Sequence, residues 1–238
     1  MAEEEREFRE KSSQDMKMNS MKTGGRRNRK KKNKGEAKKM KKTVERKTRE
    51  SGIVVSVEDG KIYSKPDTGR EFLNHMLETI SWRSGIGIEA KFESTQFSLS
   101  HVIAEDVGIV LGKALLQMYE ERMEEGVNGF GESYAVIDEA MAFAAISIEG
   151  RANSFIELNC NGVKKEQVED MLSEDLESFI GGIAQGMKAT IRVNFERGGN
   201  AHESWEAGFR ALGEALRKCF EKNEMRKGLI AGVKGTLE

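Results

Sequence analysis

His101-Val-Ile-Ala-Glu105, running on to Leu111-Gly112-Lys-Ala114-Leu115, returns a hundred residues later as His202-Glu-Ser-Trp-Glu206 and Leu212-Gly213-Glu-Ala215-Leu216. His, Glu, Leu, Gly, Ala and Leu keep the same offsets in both copies, which marks an internal duplication. Apolar residues recur at three- and four-residue steps behind each histidine, so both copies read as helices. Positions i and i+4 share a helix face, and each copy therefore sets an imidazole beside a carboxylate. Nitrogen and oxygen donors at that spacing suit a first-row divalent ion. A single His-x-x-x-Glu would read more simply as an exposed polar face. Two in register, holding two of the three histidines, favour a metal.

Outward from these helices, the pattern predicts a folded region starting near Val44. Ile53–Val57 is a β-branched strand, and the turn pair Asp59-Gly60 leads to a second strand at Lys61–Ser64. A helix capped at Asp67 or Thr68 carries Phe72, Leu73, Met76, Leu77 and Ile80 and stops before Gly85. Ile86–Glu93 alternates as a half-buried strand, and Ser98 or Ser100 opens the first His-x-x-x-Glu helix, which ends near Met123. Gly126–Gly131 reads as a loop. Strands follow at Ala142–Ile148 and Asn153–Leu158, then a helix over Lys165–Met187, a strand over Ala189–Phe195 and the second His-x-x-x-Glu helix to about Lys222. The expected fold class is α+β, with two similar strand-strand-helix-strand-helix halves over residues 44–131 and 132–238.

A chain of 238 residues is long enough for a sizeable core. No segment has the length and apolarity of a membrane span or a signal-peptide core, and a cytoplasmic location is expected. Cys160 and Cys219 have no partner pattern and read as small core residues of a reducing compartment. The net charge of −1 conceals an asymmetry, because Lys22–Lys42 holds twelve bases against the lone Glu36. A tract so basic and so poor in apolar residues does not fold alone, and residues 1–43 read as a disordered arm. Residues 22–42 suit non-specific contact with nucleic acid or another polyanion; no aromatic interleaves them to stack on bases.

Several segments resemble the imidazoleglycerol-phosphate dehydratase family: Arg46-Lys-Thr-Arg-Glu50, Thr68-Gly69, Phe72-Leu-Asn-His-Met-Leu77 and Glu105-Asp-Val-Gly-Ile109. Asp138-Glu-Ala140, Ser147-Ile-Glu-Gly-Arg151, Gly199-Asn-Ala-His202, Glu206-Ala207 and Lys234-Gly235 continue it in the family's order, from Val44 to the end. The resemblance implies two similar α+β halves and a homo-oligomer whose sites form between subunits. It implies a manganese-dependent dehydration of a small phosphate substrate in histidine biosynthesis. By the same resemblance, Mn2+ is held by His75, His101, Glu105, His202 and Glu206. Glu50 moves the proton, and Arg151 and Lys234 grip the phosphate.

The chain departs from the family pattern at named positions. Val102 and Glu203 replace the second members of paired histidines, Arg192 replaces a strand histidine, and Asn74 stands for aspartate. Gly129 and Gly232 replace an arginine and a serine of the phosphate grip. Valine offers a metal nothing, and a guanidinium repels one. Two readings follow: a dehydratase, or a degenerate, catalytically impaired paralogue that keeps the scaffold and a polyanion-binding arm.

Overall fold

The computed structural model describes residues 40–95, 98–158 and 167–238. The first half runs β1 (Lys41–Lys47), β2 (Ser51–Asp59), β3 (Ser64–Asp67), α1 (Glu71–Ser84), β4 (Ile86–Ser94) and α2 (Ser100–Met123). The second runs β5 (Phe130–Ile137), β6 (Ala140–Ile148), β7 (Asn153–Glu157), a hairpin of β8 (Gln167–Val168) and β9 (Met171–Leu172), α3 (Ser173–Met187), β10 (Ala189–Arg197) and α4 (Ala201–Cys219). The two main sheets have equivalent orders, β1-β2-β4-β3 and β5-β6-β10-β7. In each, three antiparallel neighbours are closed by one parallel edge strand, β3 on β4 and β7 on β10. This is the duplicated α+β fold, with one strand more in each main sheet than the sequence pattern predicts.

The additional strands in the two main sheets are β1 and β5, and β1 already starts at Lys41, ahead of Val44. Lysines and other charges suit an edge strand, whose outer backbone faces no partner, and they hide its period-two signal. β3 lies at Ser64–Asp67, displaced from the expected Lys61–Ser64. Pro66 is tolerated there because β3 pairs on one side only. The helix expected from Lys165 begins at Ser173, and residues 167–172 form the β8–β9 hairpin instead. Cys219 is buried as expected, and burial pushes its thiol pKa up. Cys160 and residues 1–39 of the arm lie outside the described residues.

One face of each sheet is apolar. Ile53, Val55 and Val57 of β2, the alternate residues Ala140 to Ile148 of β6, and Ala189, Ile191, Val193 and Phe195 of β10 are fully buried or nearly so. The helices that cover these faces pair across the repeat, α1 with α4 and α2 with α3, so the two halves share one core. Glycine sets the second crossing. Gly108 and Gly112 of α2 face Gly182 and Gly186 of α3, and a Cβ on any of the four would run into backbone of the opposite helix. Backbones in contact leave no room for side chains, so the crossing is narrow and its register is fixed. The start of α4 is held otherwise: Trp205 is fully buried, packs edge-on to Phe195 at 5.0 Å, and donates from Nε1 to Ser173 Oγ at 3.2 Å. His202 and Glu206 flank this anchor.

Candidate active site

α1 presents His75 and α4 presents His202 and Glu206 at the place where the two helices pair. Nε2 of His75 and Nε2 of His202 each lie 3.3 Å from the same oxygen, Oε2 of Glu206. The ring centroids are 5.7 Å apart, and one donor atom from each residue falls within 4.8 Å of the others. Ligands that sit about 2.0–2.2 Å from one ion are themselves roughly 3–4.4 Å apart. Two imidazoles and a carboxylate therefore come within a few tenths of an ångström of the spacing that a single first-row divalent ion requires.

The other side of Glu206 is already occupied. Its Oε1 accepts from Arg210 Nε at 2.9 Å and Nη2 at 2.6 Å, two donors on one oxygen from one helical turn away. Burial favours the neutral carboxyl, since Glu206 is only 7% exposed. The hydrogen bonds from Arg210 and His75 outweigh that and hold its pKa below the ordinary range. Arg210 thus keeps an anionic donor available while leaving Oε2 free for the histidine side. A cleft of about 290 Å3 opens beside the cluster, lined by His75, Glu206, Arg210, Arg83, Glu78 and Trp82.

Two contacts from the β8–β9 turn hold the helices that bear these ligands. Asp170 Oδ2 and Oδ1 accept from the backbone N–H groups of Glu71 (2.8 Å) and Phe72 (3.0 Å), which caps α1 from the other half of the repeat. Glu169 Oε1 lies 2.9 Å from His202 Nδ1. Phe72 closes the arrangement, edge-on to His202 at 5.2 Å. The Asp170→Ala variant should lower unfolding stability by about 1 kcal/mol, the usual worth of a helix cap, as read by chemical denaturation.

The first copy of the motif stands elsewhere. His101 Nε2 is 3.5 Å from Glu105 Oε2, and both side chains are about half exposed. Counted from the left-handed C-caps Gly85 and Lys188, His75 and Ser178 each lie ten residues back, so α3 carries serine where α1 carries histidine. The helices still meet at the equivalent positions, with Ser178 Oγ 3.3 Å from His101 Nδ1. Among the described residues only His75, His202 and Glu206 form a three-ligand group. Arg192 is engaged on its own sheet, paired with Glu157 and lying over the Phe155 ring at 5.2 Å. Asn74 Oδ1 accepts from the backbone and hydroxyl of Thr68, fixing the turn into α1.

Glu50 is exposed on the β1–β2 turn. The turn is tied to α2 next to Glu105: Arg46 pairs with Asp106, and Ser51 Oγ donates to the same carboxylate at 3.4 Å. Glu50 therefore belongs to the region of the His101–Glu105 copy. Arg151 and Lys234 are exposed near one seam. Gly129 abuts Ala231, Gly232 abuts Glu149 and Gly150 abuts Leu237, so the C-terminal segment runs past both turns that the resemblance assigns to phosphate. Sequence reasoning missed Arg210, Ser178, Glu169 and Asp170. Arg210 carried a signal, four residues beyond Glu206 on the same face; the other three act through tertiary approach.

Comparison with known proteins yields one family. Residues 68–216 match the family model for imidazoleglycerol-phosphate dehydratase. A protein of that name from Staphylococcus saprophyticus is 33% identical over 193 residues, covering 81% of this chain and 97% of its own length. Another from Clostridium novyi is 35% identical, covering 78% of this chain and 93% of its own. The solved structure of the Staphylococcus aureus enzyme superposes with a TM-score of 0.67 at 28% identity, covering 77% of this chain and all of that one. The Pyrococcus furiosus structure also gives 0.67, at 30% identity, covering 81% and 99%. The degenerate reading finds no support in these comparisons, nor does nucleic-acid binding through residues 22–42. No helix among the described residues is long and apolar enough to cross a membrane.

Proposed function

Because the chain belongs to the imidazoleglycerol-phosphate dehydratase family, we propose that it dehydrates imidazoleglycerol phosphate to imidazole-acetol phosphate in histidine biosynthesis. The observation that carries this reading is the convergence of His75, His202 and Glu206 from two helices on one point beside a cleft. Manganese bound there would supply a Lewis acid for the substrate's imidazole ring, easing loss of a weakly acidic proton from the adjoining carbon. The chain's residues do the rest. Arg210 keeps Glu206 ionised and oriented. Glu50, exposed beside the His101–Glu105 pair and not at the His75 cleft, would reach the substrate from a neighbouring subunit, take the proton from carbon and return one to the departing hydroxyl, so that water leaves. Arg151 and Lys234 hold the phosphate by charge-assisted hydrogen bonds along the C-terminal seam.

His101 and Glu105 form the second donor pair in this reading and await a partner subunit to complete it. Tyr134, Val136 and Phe130 leave apolar surface on β5, and Phe155 does so on β7, in keeping with a homo-oligomer. A cytoplasmic setting follows from the pathway. The test is a dehydration assay on chelator-stripped chain. Turnover should be absent without metal and return on adding Mn2+. Equal turnover in both samples would contradict the reading.

A further inference from the structure

Glu169 occupies the first position of the two-residue β8–β9 turn with φ +55°. That turn position suits glycine or asparagine, which reach the left-handed region readily. Glu169 has no burial that would explain its presence, since its side chain is 57% exposed. Among the described residues its side chain makes one hydrogen-bond contact, Oε1 to Nδ1 of His202 at 2.9 Å. The adjacent Asp170 fixes the turn against the start of α1, so the carboxylate is delivered from an anchored backbone. Sequence pattern could not show this, because the hairpin and His202 are more than thirty residues apart.

We propose that Glu169 is a positioning residue for His202: its carboxylate accepts the Nδ1 proton and so presents the Nε2 lone pair to the site shared with His75 and Glu206. An ionised carboxylate can only accept, so Nδ1 is the nitrogen that donates to Glu169, which leaves Nε2, 3.3 Å from Glu206 Oε2, to serve as the metal donor. A ligand histidine held this way is a better donor and loses less freedom on binding. The proposal rests on reading His75, His202 and Glu206 as a metal set, and it adds a residue that no copy of the repeated motif contains.

The test measures Mn2+ binding to the chelator-stripped full chain at fixed pH, by the electron paramagnetic resonance signal of free Mn2+, together with thermal unfolding of each metal-free variant. Glu169→Gly removes the carboxylate and relieves the backbone at once. Its affinity should fall tenfold to a hundredfold, while its unfolding temperature stays level or rises. Glu169→Gln keeps an acceptor oxygen without the charge, and its affinity should lie between those of glycine and the unmodified chain. His202→Ala should lose retained Mn2+. If Glu169→Gly weakens binding by less than tenfold, or lowers the unfolding temperature, while His202→Ala still loses the ion, the positioning role is overturned and the metal set stands. If His202→Ala binds as the unmodified chain does, the metal set and the positioning role fall together.

Discussion

Replacing Glu206 with alanine should abolish retention of a divalent ion and cut kcat/KM for dehydration by about a thousandfold or more. The reasoning is electrostatic. Glu206 contributes the only anionic donor among the three, and both histidine Nε2 atoms converge on its Oε2. A Lewis acid stabilises developing charge by several kcal/mol, and each 1.36 kcal/mol is roughly tenfold in rate. Glu206→Gln, which keeps the shape and an acceptor for Arg210, should lose most of the same activity. A structural explanation predicts the opposite for glutamine, namely near-normal rates. Folding should survive either change, because Arg210 is 24% exposed and can turn to water. Circular dichroism alongside the assay separates lost metal from lost fold.

The second large effect belongs to the helix crossing. Gly112→Ala should destabilise the protein by about 2 kcal/mol or more, lowering its unfolding temperature by roughly 4–8 °C for a chain of this size. Alanine is worth about 1 kcal/mol over glycine in a helix interior, so propensity alone predicts a gain. Contact reverses the sign. The new Cβ would meet the Ile183 carbonyl oxygen, Met187 N at 2.8 Å and Gly186 Cα at 2.9 Å, all backbone atoms of α3. Backbone within a helix cannot swing aside like the end of a side chain, so α2 and α3 must separate along their length. Gly52, where an added Cβ meets nothing within 4 Å, serves as the control: Gly52→Ala should change stability little.

Much of this architecture was legible because duplication writes the same spacing twice. The helices α1, α2 and α4, and the strands β4, β6, β7 and β10, carry clear period-3.6 or period-2 patterns, and their limits match within a few residues. β1 and β5 were not legible for opposite reasons. The sequence of β1, Lys-Lys-Thr-Val-Glu-Arg-Lys, reads as the end of the basic tract, although Val44 pairs with Val55 across the sheet. β5 begins in a glycine-rich stretch whose Gly131 is required for another purpose, since α4 passes so close that a Cβ would strike Ala215 and Cys219. In the sequence the β8–β9 hairpin reads as the first turns of α3, because Val168, Met171 and Leu176 are apolar on a helical count too.

The site was half legible. His202 and Glu206 announced themselves by spacing, and His75 entered through resemblance. The sequence does not show that His75 joins His202 and Glu206 while His101 pairs instead with Ser178. That depends on α1 packing on α4, and α3 on α2, across the repeat. Val102, Glu203 and Arg192 are absent from the three-residue group, whose donor atoms lie within 4.8 Å of one another without them.

The most direct test of this account is anomalous X-ray scattering at the manganese edge from crystals of the full chain grown with Mn2+. The account predicts a peak about 2.0–2.3 Å from His75 Nε2, His202 Nε2 and a Glu206 carboxylate oxygen together. A map with no peak among those three atoms, or with manganese solely at His101 and Glu105, would contradict it.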